Sequence, residues 1–386
     1  MKIIHCCLAA FYIDGYGYQE NILPREHKKL GFEVNILAST EIFINNNSLG
    51  YTTPKEYINE DNIQVTRLGY KKFLPHFIMK KLRIYSGTYD YFKEHTPDII
   101  FLHDIQFLDI LQIKRYVKNN PKVQIFVDCH TDFKNSAKNW VSKNIMHRII
   151  YRFCAKQIEP YTTKFWGVLP ARVDFLIEMY HINPSKVDLL VMGAEEKLIK
   201  EAKNSKLKDS IYLKYNLLDS NFLIITGGKI DYNKLEVLTL MNAVKLLNNK
   251  NIKLIIFGSV AKNLLETFKS LLSESIIYIG WVDSKDIYKI FELGDLIVFP
   301  GLHSVLWEQA VGQGKPCIFK HIKGFEHIDL CGNCQFLYTN TKEEIMEKIN
   351  LLTEDKDKYK EMKKIAEKFG KKTFSYTTIA KKSIKF

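Results

Sequence analysis

"GGKIDYNK", residues 227–234, follows the apolar run Asn221-Phe222-Leu223-Ile224-Ile225-Thr226, which reads as a buried strand ending at the glycines. Two glycines give the backbone freedom where the strand stops, and Lys229 and Lys234 place two cations just beyond it. The stretch is either a solvated turn in a lysine-rich chain or an anion site where a strand gives way to a helix. A second stretch has the same form. In "VFPGLHSVLWEQAVGQGKPCI", residues 298–318, a strand ends at Pro300, the loop "GLHS" follows, and a helix begins near Val305. The amides of His303, Ser304 and Val305 would face an anion. Glu308, one turn into that helix, can accept two hydrogen bonds from a ribose diol.

Short apolar runs alternate with amphipathic stretches along the whole chain, the pattern of parallel sheets with crossover helices. "KIIHCCLAAF", "FEVNILAS", "PDIIFLHD", "VQIFVDCH", "FWGVLP" and "VDLLVMG" read as strands of a first half. "NFLIITGG", "IKLIIFGS", "SIIYIGWV", "LIVFPG" and "PCIFK" read as strands of a second. "YQENILPREHKKLG" is a helix with Gly31 as its C-cap. The expected fold class is therefore α/β, with two doubly wound, Rossmann-like parallel-sheet domains facing an interdomain cleft. The expected boundaries are 1–195, 196–365, and a helical tail 366–386 that crosses back to the first domain. The lysine-rich "AEEKLIKEAKNSKLKDS" marks the join.

At 386 residues, 46% hydrophobic and 26% charged, the chain has the composition of a globular protein with a sizeable core. No apolar run approaches the ~20 residues needed to span a bilayer. The opening "MKIIHCCLAAFYIDGYGYQE" reads as a first strand, because it leads into Asp14 and a glycine-tyrosine loop and lacks a cleavage site. Seven scattered cysteines, an odd number, suit buried thiols in a reducing cytoplasm. "CGNC" at 331–334 lacks the second pair a zinc site would need. The net charge of +13 implies an anionic partner, but the charge is dispersed and no nucleic-acid motif accompanies it.

Together the two opening stretches resemble the retaining GT-B glycosyltransferases, specifically glycosyltransferase family 4 (group 1). Lys229 stands in the place of that family's arginine, and Lys234 in that of its lysine. "IIFGS", with Gly258, is similar to the next strand and glycine. "IYIGWVDSKDIYKIFELGDLIVFPG" resembles the block that places Val282 against the nucleobase, and "WEQAVGQGKPCI" the segment whose glutamate binds ribose. In the first half, "GYGYQENILPREHKKLGFEVNIL" resembles the first glycine loop, with Gly15 and Gly17 near the donor. "DIIFLHD" and "VDCHTD" resemble the two strands that bring His103, Asp104 and His130 to the reacting centre and acceptor. One departure stands out: the family's first glutamate, eight positions before Glu308, is replaced by Pro300, and His303 is the residue left to contact sugar or phosphate.

The resemblance implies transfer of a sugar from a UDP- or GDP-sugar to a hydroxyl of a glycan or lipid-linked acceptor, with retention, in bacterial surface polysaccharide synthesis. Lys229, Lys234 and His130 would be catalytic, and no metal and no cofactor beyond the sugar nucleotide are expected. The enzyme would be cytoplasmic, either free or peripheral at the inner face of the membrane. "FLPHFIMKKLRIYSGTYDYF", residues 73–92, is either a helix on an anionic membrane surface or part of the first domain's core. The rival readings are a sugar-nucleotide 2-epimerase and a non-catalytic nucleotide-sugar-binding protein of the same fold.

Overall fold

The computed structural model describes residues 1–44, 48–133 and 135–385. They form two compact units, one of Met1–Val191 with Ala380–Phe386, the other of Met192–Ile379. The first unit is built on an eight-stranded sheet in the order β10-β9-β8-β7-β1-β2-β6-β5. Its strands are β1 (Lys2–Cys7), β2 (Glu33–Ser39), β5 (Lys55–Ile58), β6 (Gln64–Leu68), β7 (Ile99–His103), β8 (Gln124–Cys129), β9 (Thr162–Gly167) and β10 (Val187–Leu189); a separate hairpin holds β3 (Glu41–Ile44) and β4 (Ser48–Tyr51). All neighbours in the sheet are parallel except the edge pair β5 and β6.

Alternation along the strands explains why the runs are apolar throughout. Ile4 and Cys6 of β1 join one core cluster, whereas Cys7 joins Val34, Ile36 and Ala38 on the other face. Both faces are covered, as parallel sheets require. Gly31 follows the helix Gln19–Lys29 with φ of +91°, the left-handed position the sequence assigned to it.

The second unit carries a six-stranded, all-parallel sheet in the order β13-β12-β11-β14-β15-β16. Its strands are β11 (Phe222–Ile230), β12 (Ile252–Val260), β13 (Ile276–Gly280), β14 (Leu296–Phe299), β15 (Cys317–Lys320) and β16 (Cys334–Leu337). One face buries Ile224, Leu254, Ile256, Val298 and Ile318. On the other, Phe257, Phe291, Phe299 and Phe319 form a ring-to-ring series ending at Trp307, which stacks on Phe319 at 4.5 Å. That stack seats the helix Leu306–Gly312 beside the carboxyl ends of β11 and β14.

The chain enters the second unit through Gly193 and Ala194, which lie against the segment before its last helix. The Ala194 amide donates to the Phe374 carbonyl at 2.7 Å, and a Cβ on Gly193 would lie 2.4 Å from that carbonyl oxygen. All seven cysteines are free thiols; Cys331 is exposed and Cys334 buried.

Both sheets reverse strand order at one point, between β1 and β7 in the first unit and between β11 and β14 in the second. Ligands of such sheets bind beyond the carboxyl ends of strands at these points.

Candidate functional site

In the second unit the two opening stretches meet. β11 does not stop at its glycines: it stays paired with β12 to Ile230, with Gly227 opposite Phe257, Gly228 opposite Gly258 and Lys229 opposite Ser259. A Cβ on Gly258 would lie 2.0 Å from the Gly228 oxygen, and one on Gly227 would lie 2.4 Å from the Phe257 oxygen. Close approach of the two strands thus accounts for these glycines and corrects the expected strand end. Gly228 does face the site. At φ of +108° its missing Cβ would sit 3.0 Å from Lys234 Nζ and 3.3 Å from Leu306 Cδ1.

Lys234 reaches that point from the turn Tyr232–Lys234, which Asp231 caps by accepting from the Asn233 amide at 2.9 Å. Its stem lies on Gly301, where a Cβ would come within 3.0 Å of Cγ. Burial lowers the pKa of the ammonium, with the Asp231 charge acting in the opposite direction. Among the described residues this ammonium has no hydrogen-bond or ion-pair partner. Lys229 behaves differently. As β11 continues, successive side chains point to opposite faces, so Ile230 is buried while the Lys229 side chain is 78% exposed and pairs with Asp231 at 3.6 Å. The expected pair of converging cations is, in this structure, one.

Glu308 lies in the helix Leu306–Gly312 as expected, but its carboxylate is fully buried and already engaged. Oε1 accepts from His303 Nε2 at 2.8 Å and from His327 Nε2 at 3.0 Å. Burial alone would raise its pKa; the two histidines outweigh that and hold it well below the carboxylate range. His303 is therefore locked onto Glu308 through one nitrogen, not free for a sugar through both. Glu308 Oε2, Ser304 Oγ and His327 Nδ1 are buried with no hydrogen-bond partner, so the group retains unused acceptors and donors. Val305 is half-buried just before the helix, and Pro300, at the position of the missing glutamate, has its carbonyl bonded by Asn340 Nδ2 at 2.7 Å. Val282 is half-buried beyond Gly280 and an exposed Trp281. Sequence reasoning missed His327, which lies in the short helical turn Glu326–Ile328 after β15 and belongs to no motif.

In the first unit, a polar cluster forms at the carboxyl ends of β7 and β8. Asp128 accepts from His103 Nδ1 at 3.0 Å and from Gln19 Nε2 at 3.1 Å, and its Oδ2 stands 3.4 Å from His130 Nε2. Burial would raise the Asp128 pKa, but His103 and His130 bring it well below the usual range. Burial would lower that of His130, but the Asp128 and Glu20 carboxylates push it up to about 9, so the ring is an imidazolium at neutral pH. His103 is buried among these groups. Asp104, at φ of +67°, bonds the Ile105 amide at 2.9 Å and the Thr131 hydroxyl at 2.9 Å. Gly15 is exposed at φ of +77° with open space around it, but its amide donates to Glu60 at 2.7 Å; Gly17 is half-buried in the loop before the helix Gln19–Lys29. Asp128 itself was not singled out in the sequence, where "VDCHTD" drew attention to the histidine.

Ligand atoms of Glu20, His103 and His130 lie within 4.8 Å of one another. Both nitrogens of His103 are, however, already hydrogen-bonded, to Asp128 and to His5, so the group fits a hydrogen-bonded cluster better than a metal cage. A mixed-charge hollow lined by Lys203, Asn221, Asp295 and Lys315 lies at the amino ends of β11 and β14, away from Lys234.

Residues 214–369 match the family described as glycosyl transferases group 1. No curated protein matches the chain by sequence. Among solved structures, a glycosyltransferase from Rickettsia africae is similar over 99% of this chain and 96% of its own, at 15% identity and a TM-score of 0.69. Anabaena HepE in complex with UDP is similar over 99% and 98%, at 15% identity and a TM-score of 0.64. The UDP-GlcNAc 2-epimerase of Neisseria meningitidis bound to UDP-GlcNAc is similar over 99% and 98%, at 11% identity and a TM-score of 0.62. Residues 214–369 thus match the family of glycosyl transferases group 1, in a chain that has the two-domain GT-B fold.

Proposed function

We propose that the chain is a retaining glycosyltransferase that moves a sugar from a UDP- or GDP-sugar to a hydroxyl of a glycan or lipid-linked acceptor in bacterial surface polysaccharide synthesis. The observation that carries the reading is Lys234: a half-buried ammonium, without a hydrogen-bond or ion-pair partner among the described residues, at the strand-order reversal of a group 1 domain, over a glycine that leaves room for a ligand. As the glycosidic bond lengthens, the sugar becomes oxocarbenium-like and the diphosphate gains charge. A pre-placed cation there stabilises the leaving group more than the ground state. In this reading Lys234 and the amides of residues 303–305 supply that stabilisation without a metal ion. Glu308, with its unused Oε2, binds the ribose after a small shift of the side chain. His130, as an imidazolium held by Asp128, orients hydroxyls at the reacting centre.

A membrane-borne acceptor is supported by one face of the first unit. Phe73 and Phe77, the latter on the helix His76–Leu82, are 62% and 68% exposed. Trp140, Ile149 and Phe153, along the helical stretch that includes Ser142–Tyr151, are 70%, 62% and 47% exposed. The two helices touch, because the Tyr151 hydroxyl donates to the Lys81 carbonyl at 2.9 Å. Residues 62–89 and 133–158 contain no Asp or Glu and six Lys or Arg each. Exposed aromatic and aliphatic side chains beside the exposed Lys72, Lys80, Lys81 and Lys143 fit an anionic bilayer surface. Met79, Tyr85, Tyr91 and Phe92 of the 73–92 stretch are core. No helix among the described residues is long and apolar enough to cross a membrane.

Thermal stabilisation against UDP, GDP, CMP and their sugar conjugates tests the donor reading. A nucleotide diphosphate at a hundred times its dissociation constant should add about 2.7 kcal/mol, and no stabilisation across the panel would refute it. Product analysis with the matching sugar nucleotide then separates transfer from 2-epimerisation.

A further inference from the structure

The first unit buries a continuous chain of imidazoles that none of the chemistry above uses. His103 Nδ1 meets Asp128, and His103 Nε2 lies 2.9 Å from His5 Nδ1. His5 Nε2 lies 2.9 Å from His27 Nδ1. His27 Nε2 lies 3.0 Å from both the Ala380 carbonyl and the Ser383 hydroxyl. His5, His27 and His103 are all 0% exposed, and Phe101 packs against all three rings.

Proton counting gives this chain a direction. It has four links, and each needs one proton. Asp128 at one end and the Ala380 carbonyl at the other can only accept. Three neutral imidazoles supply three protons, so the fourth comes from Ser383 or from solution. Burial, with neighbouring imidazoles adding to it, places His5 well below the ordinary imidazole range; burial brings His27 to about 4. A cationic relay is therefore disfavoured, and the Ser383 hydroxyl closes the chain onto His27 Nε2. Its proton can serve Nε2 or the Ala380 carbonyl, 2.9 Å away, but not both. With Ser383 donating to Nε2, every ring carries its proton on Nδ1, directed toward Asp128. The reverse order would set the bare Nδ1 of His103 against a carboxylate, two acceptors face to face.

We propose that His5, His27 and His103, closed by Ser383, are positioning residues that hold Asp128 ionised and aimed at His130. Asp128 then keeps His130 cationic, against the opposing charge of Arg172 and with the help of Glu20. The consequence for catalysis rests on the glycosyltransferase reading; the proton positions do not.

Selective ¹⁵N-histidine labelling with long-range ¹H–¹⁵N spectra distinguishes the tautomers in the full-length protein without any substrate. At neutral pH the wild type should show His5, His27 and His103 protonated on Nδ1, and a proton on His103 Nε2 in a neutral ring would overturn the proposal. Ser383→Ala removes the closing donor, so His27 should gain a proton on Nε2, and Ser383→Thr should restore the wild-type pattern. Moving the His27 proton to Nε2 leaves two bare nitrogens, His27 Nδ1 and His5 Nε2, facing each other, which loosens the chain's hold on Asp128 and through it on His130. The alkaline limb of kcat/KM in Ser383→Ala should therefore move down by roughly one pH unit, about tenfold in activity on that side. Altered tautomers with an unmoved limb would refute the positioning role. The expected tautomers without turnover of any sugar nucleotide would instead refute the glycosyltransferase reading alone.

Discussion

Replacing Lys234 by methionine separates a binding residue from a structural one, because the two roles predict opposite results. The lysine stem packs on Gly301, and its ammonium sits over Gly228 without a hydrogen-bond or ion-pair partner among the described residues. Methionine keeps most of the stem volume and removes a charge that burial disfavours. The unliganded protein should therefore keep or raise its Tm, since the substitution opens little cavity and leaves no partner unpaired. Nucleotide binding should suffer. One charge-assisted hydrogen bond to a phosphate contributes about 1.5–3 kcal/mol, so the affinity for a nucleotide diphosphate should fall about 10–150-fold. Differential scanning fluorimetry gives the first quantity and isothermal titration calorimetry the second. A variant destabilised by more than about 2 kcal/mol that binds the nucleotide as tightly as the wild type would show that the ammonium is structural.

Gly258→Ala forces a Cβ to within 2.0 Å of the Gly228 oxygen at a φ of +110°; urea denaturation should show a loss of about 2–4 kcal/mol. His327→Phe removes one of the two donors to the buried Glu308 carboxylate, and the same assay should register about 2–3 kcal/mol. The His130 pKa, raised from 6.5 to about 9, fixes a pH window. A raised pKa stabilises the fold fully below about 6.5 and progressively less as pH climbs through about 9, by at most about 3 kcal/mol. The stability-versus-pH curves of wild type and His130→Asn should therefore run parallel above about pH 10, separate as pH falls from about 9 to about 6.5, and stay parallel again below that; a constant offset at all pH values would contradict the assignment.

Much of this was legible in the sequence because both sheets are parallel. Strands buried on both faces leave continuous apolar runs, and β1, β2, β7, β8, β11, β12 and β15 all announce themselves this way. The antiparallel edge strand β5, "KEYI", is exposed at three of four positions and carries no such signal. β16 and the hairpin β3–β4 are four-residue strands of mixed burial that look like loops. Lys234, Glu308 and His130 could be found because each sits at a strand end or one turn into a helix. Lys229 could not be assigned a side, since the face it takes depends on β11 continuing four residues past Thr226. Asp128, His5, His27 and His327 were invisible for a different reason: their roles depend on contacts between residues as much as 356 positions apart, as from His27 to Ser383.

The central claim is that the cradle formed by Gly228, Lys234 and the loop before Leu306 holds a nucleotide diphosphate. A crystal structure of the protein with UDP tests it most directly. The account predicts phosphate oxygens within hydrogen-bond distance of Lys234 Nζ and of an amide among residues 303–305, with a ribose hydroxyl at Glu308 Oε2. A diphosphate bound elsewhere, with Lys234 Nζ still unpartnered, would contradict it.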